Sequence, residues 1–257
     1  MQFFTILILI IVAFLSEYIA ATLGMGYGTT LTPILVVWGY DPVVLVPVVL
    51  FSQIFAGLVS ASFHQKYHNM DLTDDRRQQQ SLGIFVLTGF AGVTVSTFTN
   101  IVLPPIFVKT YIALSVLMVG LLTLSNGNRC IDYSVGKIAG MGILAGFNKG
   151  ISGGGYGPIT TSGQMLCDIP PRAALAITAL VEGIICVAGF FLYYLFVGVP
   201  NMFLIIGITA GALLASPFSA LTTSKLEQGV VKKVVGVSIV MVGFFTLIWV
   251  LLSGIIL

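Results

Sequence analysis

Charge is what this sequence has least of. Of 257 residues only 8% are Asp, Glu, Lys or Arg, about a third of what a soluble domain carries, and a soluble fold is excluded on that ground. Cysteine is also scarce. Cys130, Cys167 and Cys186 form no CxxC pair, so neither a disulfide framework nor a thiolate metal site is expected. The net charge of +2 comes without a basic, aromatic-laced stripe, and nucleic acid is not expected as a partner. Apolar runs do not alternate with period two, which excludes a transmembrane β-barrel. There is no GxxxxGK[ST] loop and no GxGxxG in a βαβ setting, and His64 and His68 lack the intervening glutamate of HExxH, Gln65 standing in its place. The two histidines are therefore expected at a membrane interface. An intramembrane enzyme would need an acidic metal motif or a Ser/His/Asp set at membrane depth. A metal carrier would need clustered Met, Cys or carboxylate ligands. Neither pattern occurs, so no catalytic residue and no metal is assigned, and the chain is expected not to be an enzyme. Met1-Gln2-Phe3-Phe4 lacks the basic start of a secretory signal, and a retained first helix is expected.

What is present is apolar: 57% of residues are hydrophobic and the mean hydropathy is +1.07. Apolar segments cover 2–23, 29–40, 42–63, 82–100, 106–125, 134–152, 158–167, 171–197, 201–222 and 233–256. Eight approach the roughly 20 residues that a helix needs to cross a bilayer. Segments 29–40 and 158–167 are shorter, and each follows a glycine cluster, Gly24-Met25-Gly26-Tyr27-Gly28 or Gly153-Gly154-Gly155-Tyr156-Gly157. Glycine at that density breaks a helix, because it adds backbone freedom and tolerates positive φ. The expected fold class is all-α: a polytopic helical protein with about eight to ten segments in the lipid bilayer of a cell membrane.

The two halves, 1–126 and 127–257, match each other. A shift of 129 residues places GMGYG on GGGYG, Thr32 on Thr161, Pro42 on Pro171 and Gln53 on Glu182. A shift of 123 places Ser115, Met118-Val119-Gly120 and Thr123-Leu124 on Ser238, Met241-Val242-Gly243 and Thr246-Leu247. If each glycine break merely interrupted one crossing, the basic residues would divide evenly between the two membrane faces. If each break is instead the tip of a hairpin, Lys66, Arg76, Arg77, Arg129, Lys137, Arg172, Lys225, Lys232 and Lys233 share one face. Lys109 alone then lies opposite, with Lys149 inside the membrane. The positive-inside rule selects the hairpins. Two inverted repeats follow, with 66–80, 126–137, 168–172 and 224–232 cytoplasmic and both termini outside.

Inverted repeats with paired broken helices are the construction of secondary transporters. A helix that starts inside the membrane presents unpaired N–H groups and about half a positive charge. Gly26-Tyr27-Gly28-Thr29-Thr30 and Gly155-Tyr156-Gly157-Pro158-Ile159-Thr160-Thr161 are two such starts. Threonine suits a helix cap and Pro158 a first helical turn. Two such ends facing each other would bind a small anion, although glycines also allow helices to pack closely. Lys149, flanked by Asn148 and Ser152, is a lone cation before the second break. It either attracts the anion or pairs with Glu182 or Glu17. Those two are the only carboxylates well inside apolar segments, and at that depth they can exchange protons with a gradient. Glu182 is favoured because its repeat mate Gln53 keeps a polar group at the same place. Gln53, Gln164 and Asn100 line the path or bridge helices. The oligomeric state is open, and a homo-oligomer is allowed.

The stretches ATLGMGYGTTLTPIL with PVVLVPVVLFSQIFAGLVSASFH, and GFNKGISGGGYGPITTSGQML with PPRAALAITALVEGIICVAGFF, resemble the two repeats of the TauE/SafE family, the sulfite exporter or TSUP group. The resemblance covers nearly the whole chain. It implies an inner-membrane carrier, typically an exporter of sulfur-containing anions such as sulfite or organosulfonates, with no cofactor and with coupling to the proton gradient. The family's glycine-rich break falls on Gly24, Gly26 and Gly28, and on Gly153, Gly154, Gly155 and Gly157. Glu17 stands where the family usually has a small residue, and Met25 and Tyr27 interrupt the first glycine run.

Overall fold

The apolar segments become helices whose ends are set by prolines, acidic caps and glycines. In the computed structural model, which describes residues 2–124, 134–167, 169–198, 200–225, 237, 240–241 and 243–252, these are α1 (Gln2–Leu23), α2 (Gly28–Val37), α3 (Pro42–Lys66), α4 (Arg76–Val102), α5 (Pro105–Leu124), α6 (Val135–Ser152), α7 (Tyr156–Leu166), α8 (Pro171–Phe196) and α9 (Met202–Lys225). A tenth stretch, α10, covers Gly243–Leu252. Asp41 caps α3 by accepting from the Val43 N–H at 3.0 Å, with Pro42 opening the helix. Asp75 caps α4 by accepting from the Arg77 and Gln78 N–H groups. No strand occurs among the described residues. Residues 125–133 and 226–236, which carry Arg129, Lys232 and Lys233 of the charge count, lie outside them.

Five described helices are long and apolar enough to cross a membrane: Phe4–Leu23, Pro42–Lys66, Arg76–Val102, Pro171–Phe196 and Met202–Lys225. That is fewer than the eight expected. The described apolar parts of α5 and α10 are short, Pro105–Met118 and Gly243–Leu252. The 18 residues of α6 include two lysines and five glycines, which lower its hydropathy. Large apolar side chains such as Leu87, Val95, Phe191, Ile206 and Phe218 point outward, as lipid-facing side chains do. The polytopic helical membrane fold is as expected.

Close contacts fix the helix directions. α1 runs alongside α9 in the same sense: Leu9 meets Gly207, Ala13 meets Gly211, and the Tyr18 and Thr222 hydroxyls lie 3.0 Å apart. α6 runs alongside α4 likewise, with Gly146 against Gly89, Gly150 against Val93, and Asn100 donating to the Ile151 carbonyl at 2.8 Å. α4 is also parallel to α8, through Gly89 with Ile185 and Val93 with Gly189. α3 runs in the same sense as α9, with Ser216 donating to Ala56 O and Asn69, just past α3, reaching Ala220 O, while Gly57 with Gly183 and Leu50 with Gly189 set α3 antiparallel to α8. So α1 and α3 share a direction and α2 must carry the chain back between them. α7 does the same between α6 and α8. Each break is the tip of a hairpin, and α1 and α6 point in opposite directions.

Candidate functional site

The two breaks have the same backbone geometry at equivalent positions. Gly24 and Gly26 have φ +69° and +72°, and their counterparts 129 residues later, Gly153 and Gly155, have φ +72° and +75°. Side-chain-bearing residues rarely adopt that left-handed conformation, so these four positions require glycine. The breaks also touch each other. A Cβ on Gly28 would strike the Gly153 carbonyl oxygen, and one on Gly157 would come within 2.7 Å of the Gly24 carbonyl oxygen. Thr29 Oγ1 accepts from the Gly155 N–H at 2.8 Å and ties one tip to the other.

Both tips lie against the interior of long helices, away from the helix ends. The Tyr27 and Ser52 hydroxyls are 2.8 Å apart halfway along α3, and the Tyr156 hydroxyl donates to Phe85 O in α4. Threonine caps neither helix start, contrary to expectation. Thr29 donates to Met25 O and Thr30 to Tyr27 O, while Tyr27 and Gly155 occupy the cap positions without a side-chain hydrogen bond. The tight turn leaves each hydroxyl nearer to a carbonyl of the preceding residues than to an N–H ahead of it. Thr160 and Thr161 instead gather on Thr178 Oγ1, each at 3.2 Å. Pro158 lies two residues inside α7, still among the positions whose N–H has no intrahelical acceptor.

Lys149 and Glu182 form a buried ion pair, Nζ to Oε1 3.0 Å, with side chains 0% and 5% exposed. The pairing alternative for Lys149 is therefore what the geometry contains. Glu182 Oε1 also lies near Gly26, 3.2 Å from where a Cβ would stand, so the pair abuts the tip of the first hairpin. Glu17, 1% exposed, is within electrostatic reach of both partners, and its Oε2 has no hydrogen-bond partner. Glu17, Gln53, Tyr27, Gly24, Gly26, Thr178 and Glu182 line one small cavity between α1, α3 and α8, with room for about one water molecule. Two carboxylates against one ammonium leave room in this cluster for a proton, since an unpaired charge at such depth is costly.

The remaining expected residues divide. Asn148 faces the site's edge, where its Oδ1 accepts from the Tyr111 hydroxyl of α5. Ser152 bonds the Gly154 N–H at 3.1 Å and so shapes the second break. Gln53 lines the cavity with Oε1 unpartnered. Gln164 bridges α7 to α8 by donating to Thr178 Oγ1 at 3.0 Å, and Asn100 bridges α4 to α6. His64 is not at an open interface. It is fully buried, with Asn69 Nδ2 2.9 Å from Nδ1. Sequence reasoning missed Ser52, Tyr111, Thr178 and Tyr193, whose hydroxyl donates to Gly150 O at 2.9 Å. The only signal for them was a hydroxyl in an apolar helix. Which hydroxyl faces a break depends on packing.

Two glycine-broken hairpins that touch beside a buried ion pair, among long apolar helices, define a membrane protein built like a carrier. The family described as "Sulfite exporter TauE/SafE" matches residues 9–246, and the chain belongs to it. It is similar to the "Probable membrane transporter protein YtnM" of Bacillus subtilis (strain 168), 28% identical over an alignment of length 256 that takes in 93% of this chain and 83% of that one. No solved structure matches the chain. The protein is a multi-pass membrane transporter.

Proposed function

We propose that the protein is a secondary transporter of the cell membrane that exports a small sulfur oxyanion, sulfite or an organosulfonate, together with a proton, through two inverted repeats. The opposite directions of α1 and α6, and the matching φ angles of the two breaks, support the inverted arrangement. One observation carries the transport reading: the only buried ammonium among the described residues is paired to a carboxylate where the two breaks cross. An anion reaching Lys149 must take the place of Glu182. A proton on Glu182 removes the competing charge and lets the exchange occur without adding net charge to the membrane interior. Anion and proton then travel together, and an outward gradient of the anion drives both out. Lys149, Asn148 and Ser152, with the backbone N–H groups at Gly28 and Gly157, are the groups assigned to the anion. Glu182 is assigned to the proton, with Glu17 beside it as a second proton holder.

The test is counterflow of labelled sulfite in proteoliposomes, with sulfoacetate as the organosulfonate probe and chloride and acetate as controls. Sulfite or sulfoacetate should exchange and the controls should not. Glu182→Gln should keep anion-for-anion exchange and lose accumulation driven by a pH gradient. Full gradient-driven transport by folded Glu182→Gln would falsify its coupling role, and exchange of chloride as fast as sulfite would remove the sulfur oxyanion from the reading.

A further inference from the structure

From the cavity at Gln53, one face of α3 carries a row of buried polar groups to the end of the helix. Gln53, Ser60 and His64 are 3%, 1% and 0% exposed, and Asn69 just beyond the helix is 5% exposed. Spacings of seven and four residues keep the first three on one stripe, about 10 Å and 6 Å apart along the axis. Each has a buried polar atom without a partner: Gln53 Oε1, Ser60 Oγ, His64 Nε2 and Asn69 Oδ1. Unpartnered buried polar atoms are rare and costly, and four in one row call for a common cause. The facing helix α9 is polar at the same levels. Ser216 reaches α3 by donating to Ala56 O at 3.1 Å, while the buried Ser219 and Thr223 on the same helix donate to Ser216 O at 2.8 Å and, on α1, to Thr22 O at 3.3 Å. Each of those hydroxyl oxygens can still accept a hydrogen bond. The row ends at the face bearing Lys66, Arg76, Arg77 and Lys225.

We infer that this α3/α9 seam is the proton path between the cytoplasm and the Glu17–Glu182 cavity, with His64 as its relay; the inference rests on the proton coupling proposed above. The chemistry follows from the tautomer. Asn69 Nδ2 donates to His64 Nδ1 and also reaches Ala220 O at 3.5 Å, so the neutral ring carries its proton on Nε2, the atom without a partner. A proton arriving from the cytoplasm adds to Nδ1, and Asn69 accepts the new N–H through Oδ1 once its amide turns. The Nε2 proton leaves toward Ser60, and the ring is neutral again. In outward transport the same steps run inward and deliver the proton that Glu182 needs. Among the described residues no charged side chain competes at the ring: Lys66 lies over the Phe63 ring, and Asp71 and Lys225, on the neighbouring loop and on α9, are exposed.

The experiment separates proton supply from anion binding. Labelled sulfite movement is measured in proteoliposomes under a pH gradient, and as sulfite-for-sulfite exchange at equal pH, for wild type, His64→Gln and Ser60→Ala. His64→Gln should lose gradient-driven movement about tenfold while exchange and heat stability stay within about twofold and a few degrees of wild type. Ser60→Ala should lose less, and added imidazole should restore part of the His64→Gln loss. Gradient-driven movement by His64→Gln equal to wild type overturns the relay, as does parallel loss of exchange and driven movement, which marks a structural role. Wild-type movement indifferent to the pH gradient is a different outcome: it overturns the proton coupling itself, and the path with it.

Discussion

Lys149 Nζ stands 3.0 Å from Glu182 Oε1, a pairing between residues 33 positions apart on α6 and α8, with the second break and α7 between them. Removing one partner of a buried pair leaves the other charge unpaired and costs about 3–5 kcal/mol. Lys149→Gln should therefore lose heat stability as well as anion binding. The double variant Lys149→Gln with Glu182→Gln should recover most of the stability and none of the binding. Thermal melts in detergent and sulfite binding to the same samples separate the two effects. A double variant that binds sulfite as wild type does would strike Lys149 from the site.

The crossing of the breaks predicts a position-specific effect of added side chains. Gly28→Val and Gly157→Val place a Cβ against the opposing backbone, an overpacking that costs about 1–3 kcal/mol. Both should lose sulfite exchange. Gly83→Ala, with nothing within 4 Å, should leave exchange unchanged and stabilise α4 by up to about 1 kcal/mol. Normal exchange in either valine variant would mean that the tips need not touch.

Topology is checked by single cysteines at Gln79 and Asn201, both exposed, in a background without native cysteines. A membrane-impermeant thiol reagent should reach Gln79→Cys from the cytoplasmic side and Asn201→Cys from outside. Labelling of both from one side would contradict the directions assigned to α4 and α9.

The loop after α3 should loosen in acid. Asp71 accepts from the Asp74 N–H, the Thr73 hydroxyl and the Thr73 N–H, which hold its carboxyl below the ordinary 3.8. A depressed folded-state value contributes stability above the unfolded value and loses it as pH falls through the folded one. Amide exchange at Thr73 and Asp74 should be slow at neutral pH and should rise, after correction for intrinsic rates, once Asp71 is protonated. Asp71→Asn should show the faster exchange already at neutral pH. Equal protection in variant and wild type at both pH values would refute this.

Hydrophobic run length, glycine clusters and charge placement were enough to read from the sequence an all-α membrane fold with two hairpin breaks, because each is a local property of the chain. Gly24 and Gly26, with Gly153 and Gly155, were legible for the same reason: positive φ calls for glycine wherever it occurs. The partner of Lys149 was not legible. Sequence reasoning favoured the anion over Glu182 or Glu17 as the partner, and only the packing of α6 beside α8 places the ammonium on Glu182. Nor could it tell that the breaks touch, that the threonines turn away from capping, or that His64 is buried behind Asn69, which reaches α9, rather than wet. Those outcomes depend on which faces of distant helices meet, and contacts between residues 126 or 151 positions apart are decided by tertiary packing alone.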